Sequence, residues 1–147
     1  MVASILIIAV STVLLVYWFR YTCLLLLNTK PEKDFASALA EANKLSFQQV
    51  GASHVEHASP ADLDKLEKML ERDYRLITYL IEHAAVIRVG GVTLEERLLM
   101  LDYHLMRLAW RISRRFSLRR TRAALLEMTR VLHWLANDVG QRIHSAS

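Results

Sequence analysis

Three groups of side chains in this 147-residue chain are of types that do chemistry. The first is His54-Val55-Glu56-His57, two imidazoles and a carboxylate within one short stretch, a combination that can ligate zinc. It lacks the His-Glu-x-x-His spacing that puts two ligands on one helical face, and no third histidine is near. His54 and His57 are therefore weak metal candidates, and no metal or other cofactor is expected. The second group is His83, His104 and His133, one on each of three expected helices. With Tyr103 and Trp110 they could line a cavity for a metal or haem between helices, the alternative reading of the chain as a cofactor-binding bundle. The third is the most specific: Arg107, Arg111, Arg114, Arg115, Arg119, Arg120 and Arg122, seven arginines in sixteen residues with no acid among them.

Such a one-signed run can hold an anionic lipid surface, an acidic protein face or nucleic acid. It can equally be a solvated face paired with the acids of a neighbouring helix, Glu67, Glu71, Asp73 and Glu82. No recognition-helix pattern accompanies the arginines, which argues against nucleic acid. Arg107, Arg111 and Arg114 share one helix face, opposite Leu105, Leu108 and Ile112, and Arg119, Arg120 and Arg122 follow Ser117. The expectation is a basic corner between the last two helices that binds lipid or a protein. A Gly-rich phosphate loop, a nucleophile elbow, paired Glu-x-x-His motifs and Cys-x-x-Cys are all missing, so an enzyme is not expected.

Charge distribution agrees with that emphasis. Lys30 to Asp102 carries nine basic and thirteen acidic residues, whereas Tyr103 to Ser147 carries nine arginines and two acids. The modest overall charge of +4 thus conceals an acidic half and a basic half.

The elements that must position these groups begin with a membrane anchor. Val2 to Phe19 is free of charge, and the chain runs apolar again to Leu27 after Arg20. As a helix, Val2 to Leu27 reaches about 39 Å, enough to cross a hydrocarbon core with tilt. A cleaved signal peptide would want a basic start, a shorter core and a small-x-small site, and none is evident. Tyr17, Trp18, Phe19 and Tyr21 around Arg20 form an interfacial aromatic belt. Arg20 either marks the end of the span there, the simpler reading, or lies within a longer span and needs a partner from another subunit. Lys30 and Lys33 follow the span, so the positive-inside rule puts the N-terminus out and the C-terminal part in the cytoplasm, with a bacterial inner membrane as the expected location. Ala3, Ser4, Ala9, Ser11 and Thr12 allow close helix contacts and a homo-oligomer. Cys23 is the only cysteine, which excludes an intramolecular disulfide.

Only 4 glycines and 2 prolines punctuate the chain, so long helices are expected. Within the segment 29–58, Glu32 to Val50 reads as a juxtamembrane helix, with Phe35, Ala38, Leu39, Ala42 and Leu45 as its stripe, able to continue the anchor outward. A hinge over Gly51 to Ser59 follows it. Ser59-Pro60 is an N-cap and first-turn proline opening a helix with Leu63, Leu66, Leu70, Tyr74, Ile77, Ile81 and Ala84 on its core face, ending near Val89 at Gly90-Gly91. Thr93 and Glu96 have capping-box spacing. The helix they open carries Leu94, Leu98, Leu101, Leu105, Leu108 and Ile112 on its main face, with Leu99, Tyr103, Met106 and Trp110 as a second flank. Ser117 caps a last helix running from Leu118 to about Arg142, with Leu125, Leu126, Met128, Leu132, Leu135 and Val139 inward and Gly140 loosening its end. No sustained period-two alternation appears. The fold expected is all-α: an anchor (1–28), the juxtamembrane segment (29–58) and an antiparallel three- to four-helix bundle (59–147). The function expected is that of an anchored accessory or scaffold protein in a membrane-associated complex.

Overall fold

The computed structural model describes residues 1–29, 33–87 and 91–146. The chain is 86% helical, and no strand occurs among the described residues, which makes the fold all-α. It divides into two units, Met1–Lys30 and Pro31–Ser147.

The first unit is one helix, α1 (Val2–Asn28). Its most apolar stretch has a mean hydropathy of 2.4, and the helix is long and apolar enough to cross a membrane. Tyr17 and Tyr21 stack with ring centroids 6.4 Å apart, on the one-turn spacing that aligns side chains along a helix. The helix ends at Asn28, and Thr29 is already extended. It does not run on into the next helix, as the sequence had allowed.

The second unit contains α2 (Phe35–Asn43), a 3-10 turn (Phe47–Gln49), α3 (Ala52–His57), α4 (Pro60–Ile87), α5 (Leu94–Ser113) and α6 (Leu118–Ala146). Helix α6 is the axis of this unit, packing against α2, α4 and α5. Its inner face, Leu125, Met128, Val131, Leu132, Leu135 and Val139, is fully buried. Leu126 is only half-buried. Pairings between α4 and α5 run antiparallel: Asp64 meets Arg114, Glu67 meets Arg107, and Tyr74 stacks on Tyr103 with centroids 4.0 Å apart.

Local signals set the helix starts. Ser59 Oγ accepts from the Asp62 amide at 3.3 Å and donates to its carboxylate at 2.8 Å, opening α4. Thr93 and Glu96 close the complete capping box of α5. Ser117 caps α6 through a long bond from the Arg120 amide at 3.5 Å. The expected end of α4 at Val89 and Gly90 lies outside the described residues, while Gly91 has φ +63, a left-handed value suited to glycine.

Three expectations change. The juxtamembrane stripe is rotated: Ala36, Leu39 and Ala40 are buried, whereas Ala38 and Ala42 face solvent. The helix also stops early, at left-handed Lys44, because the buried Asp73 carboxylate takes the amides of Ser46 and Phe47 at 2.6 and 2.7 Å and holds the 3-10 turn. Phe47, Val50 and Val55 then enter the core, and the expected hinge contains α3. Finally, Gly140 does not loosen α6, which continues to Ala146. A Cβ there would stand 2.6 Å from the Phe35 Cβ and 2.9 Å from the Phe35 carbonyl oxygen, so glycine permits α2 to approach. Asn137, one turn earlier, accepts the Phe35 amide at 2.9 Å.

Candidate functional site

Helix α5 has two apolar sides, and the fold buries the one the spacing ranked second. Leu99, Tyr103 and Trp110 are in the core, with Met106 half-buried. That side puts two aromatic rings, Tyr103 and Trp110, into the core, with Tyr103 stacked on Tyr74 of α4. The same rotation also brings Arg107 to the carboxylates of α4. The side expected to face the core instead faces solvent: Leu94, Leu101, Leu105, Leu108 and Ile112 are 39% to 67% exposed, and Leu98 is half-buried. Phe116 at the turn between α5 and α6 is 83% exposed, and Leu118 beyond it is also exposed.

The arginine run divides on the same principle. Arg107 lies beneath α4, its Nε 2.7 Å from Glu67 Oε1 and its Nη2 2.7 Å from Glu71 Oε2. Burial alone pushes the Glu71 carboxyl up, but Arg75 and Arg107 outweigh it and hold it below its usual range. Arg114 reaches Asp64 at 2.7 Å and lies over the Trp110 ring at 5.3 Å. Arg122 donates to the Ala58 carbonyl at 3.3 Å. These three arginines bind the bundle to itself. Arg111, Arg115, Arg119 and Arg120 are exposed and have no ion-pair partner among the described residues.

An open cleft of about 710 Å³ lies at this corner, lined by Asp64, Glu67, Trp110, Arg111, Arg114 and Arg115 among others. Arg114, Asp64 and Glu67 are taken up by internal ion pairs, and the exposed cations of the cleft are Lys68, Arg111 and Arg115. The arrangement sets exposed cations beside the apolar ridge of α5. Nothing in it aligns a nucleophile with a base.

The histidines are dispersed. His83 Nδ1 lies 2.9 Å from its own helix carbonyl at Tyr79, His104 pairs with the Tyr74 hydroxyl at 3.2 Å, and His133 meets Phe47 edge-on. His54 and His57 occupy α3 and border an open groove with Asp62 and Lys65. No group of three or more His, Cys, Asp or Glu side chains among the described residues is placed to hold a metal ion. Tyr103 is packed in the core, and Trp110, also buried, borders the cleft described above, whose lining contains none of His83, His104 or His133. Burial, reinforced by Glu67, pushes the Tyr103 hydroxyl well above its ordinary pKa.

Sequence spacing gave no warning of a second polar cluster. Arg142 on α6 reaches Glu96 at 2.8 Å and Asp138 at 3.2 Å, with Glu96 fully buried. Burial, and a hydrogen bond shared with the Glu96 carboxyl, push Asp138 up to about 7. Its members are 46 residues apart in sequence, from Glu96 to Arg142, and only the capping-box role of Glu96 was visible in advance.

No family model, no curated protein and no solved structure matches this chain, so its function is read from the site alone.

Proposed function

We propose that this chain is a membrane-anchored, non-catalytic docking protein that holds an acidic partner surface against its basic corner. In this reading α1 spans the bilayer, its aromatic belt lies at an interface, and the bundle works by recruitment and positioning. The single observation that carries it is the outward group Arg111, Arg115, Arg119 and Arg120 beside an uncovered apolar ridge. Exposed leucines scattered singly are ordinary on a protein surface, but a continuous row that ends in a cluster of exposed arginines marks an interaction surface. Lys30 and Lys33, just past α1, favour the orientation with the bundle in the cytoplasm, and a bacterial inner membrane is the proposed location.

The test is purification of the full chain from its own membranes in native nanodiscs, with mass spectrometry of the proteins and lipids that accompany it. Arg111→Glu, Arg115→Glu and Arg119→Glu are introduced together, leaving the internally paired Arg107, Arg114 and Arg122 intact. The wild type should bring an acidic protein or enriched anionic lipid that the variant loses. Identical companions for both would overturn the reading.

A further inference from the structure

The outward face of α5 has a regular design. Leu94, Leu98, Leu101, Leu105, Leu108 and Ile112 follow one another at alternating steps of four and three residues, the spacing of a seam that meets a flat or helical partner. Phe116 and Leu118 extend it around the turn. Arg97, His104, Arg111 and Arg115 border it on one side, while Arg119 and Arg120 stand past the turn. From Tyr103 to Leu126 there is no acidic residue at all.

A second copy of the chain fits this seam poorly. Antiparallel packing that sets Leu101 against Leu105, Leu98 against Leu108 and Leu94 against Ile112 would place Arg97 of each copy beside Arg111 of the other. It would also face His104 with itself. Parallel packing would ask Arg97 to find Asp102, whose side chain is buried within its own bundle. Like charges along a helical seam oppose pairing.

We infer that this face lies on the anionic lipid leaflet of the membrane that α1 crosses, with Phe116 and the leucine ridge in the headgroup–acyl boundary and the arginines on lipid phosphates. This deepens the docking function proposed above and rests on it. The complementarity is of two kinds at once. An apolar stripe with cations at its edge is the design of helices that lie in a membrane interface. Arginine forks suit phosphate oxygens, and their charge is attracted to an anionic surface. An anchor in the same chain supplies that surface at high effective concentration, so a shallow, weak contact is enough.

The experiment uses the full chain with Cys23→Ser and Phe116→Cys, labelled at position 116 with an environment-sensitive fluorophore. It is reconstituted into vesicles of phosphatidylcholine alone, and of phosphatidylcholine with phosphatidylglycerol. The expected result is a blue-shifted, lipid-quenchable label in the anionic vesicles and an aqueous one in the neutral vesicles. Arg115→Glu with Arg119→Glu and Arg120→Glu should reduce the inserted population more than about tenfold. Circular dichroism of each variant confirms that the helices are retained. A label that stays aqueous in both lipids overturns the leaflet assignment. A shift that ignores lipid charge but grows with protein density overturns it too, and gives the ridge to a second copy. If the label stays aqueous while charge reversal still strips a companion from the native nanodiscs, the docking function survives and only its lipid partner falls.

Discussion

The two sides of α5 have similar apolar content and opposite fates. The inner side places Leu99, Tyr103 and Trp110 against the core and sends Arg107 to a pair of carboxylates on α4. The outer side also has large apolar residues, of which Leu94, Leu101, Leu105, Leu108 and Ile112 stay exposed, and its Arg111 has no ion-pair partner among the described residues. What differs is closure. On the inner side Arg107 and Glu96 each meet counter-charges from a neighbouring helix, so that part of the face is finished by the fold. On the outer side cations and leucines are both exposed among the described residues, and in the proposed reading the membrane completes the face. Helix α2 shows the alternative within the same molecule: it covers α6 and inserts its first residue over Gly140, as nothing covers the outer side of α5.

The largest effect that separates the two sides is truncation of a leucine. Leu99→Ala should cost roughly 2–5 kcal/mol, because the site is fully buried and leaves a cavity. Leu105→Ala should stay within about 0.5 kcal/mol. Urea unfolding of the full chain in detergent micelles measures both, and equal costs would break the comparison. Arginine removal sharpens it. Arg107→Ala leaves the buried Glu67 and the half-buried Glu71 without their shared cation, and should cost about 2 kcal/mol after allowance for partial exposure. Arg111→Ala in the same assay should leave stability unchanged.

A third substitution tests the covered face of α6. Gly140→Ala gains helix propensity, yet its methyl would collide with the backbone of Phe35, and a net loss of about 1 kcal/mol is expected. A gain in stability would show that α2 is not seated there. The smallest effect is in the closed polar cluster. Asp138 goes from an ordinary 3.8 to about 7 on folding, so the folded state holds this proton more tightly than the unfolded chain. Stability contributed by its protonated form is present below about pH 4 and is lost as pH rises to about 7. Asp138→Asn should flatten that slope and stabilise the chain at neutral pH, by an amount on the order of 1 kcal/mol. Unfolding midpoints of the two proteins across pH 4 to about 8 measure it; parallel curves would remove Asp138 as the cause.

What the sequence made legible was local. Ser59-Pro60, the Thr93–Glu96 box and Ser117 each act within one helical turn, and each appears where the spacing put it. The apolar length of α1 is equally a property of consecutive residues. What stayed hidden depends on contacts between distant segments. Gly140 resembled a weak helix end because nothing nearby reveals that Phe35 will lie over it. Asp73 looked like one more acid on a solvated face, yet it holds a turn 26 residues earlier in the chain. The orientation of α5 turned on whether leucines or aromatic residues would meet α6, and on Arg107 finding Glu67 across 40 residues. Periodicity shows that a helix has an apolar face; with two such faces, only the neighbours decide which one is buried. The arginine run was recognised as a unit, but its division into binding and structural members follows from that rotation.

The most direct test of an outer face completed in the membrane is thiol accessibility at Leu108. A Cys23→Ser, Leu108→Cys chain is exposed to a charged thiol reagent in opened native membranes, and separately in detergent. Protection in membranes, release in detergent, and release in membranes when Arg111, Arg115 and Arg119 are reversed to glutamate are the results predicted. Equal, rapid modification in membranes and detergent would contradict it, and would leave the ridge as bare solvated surface.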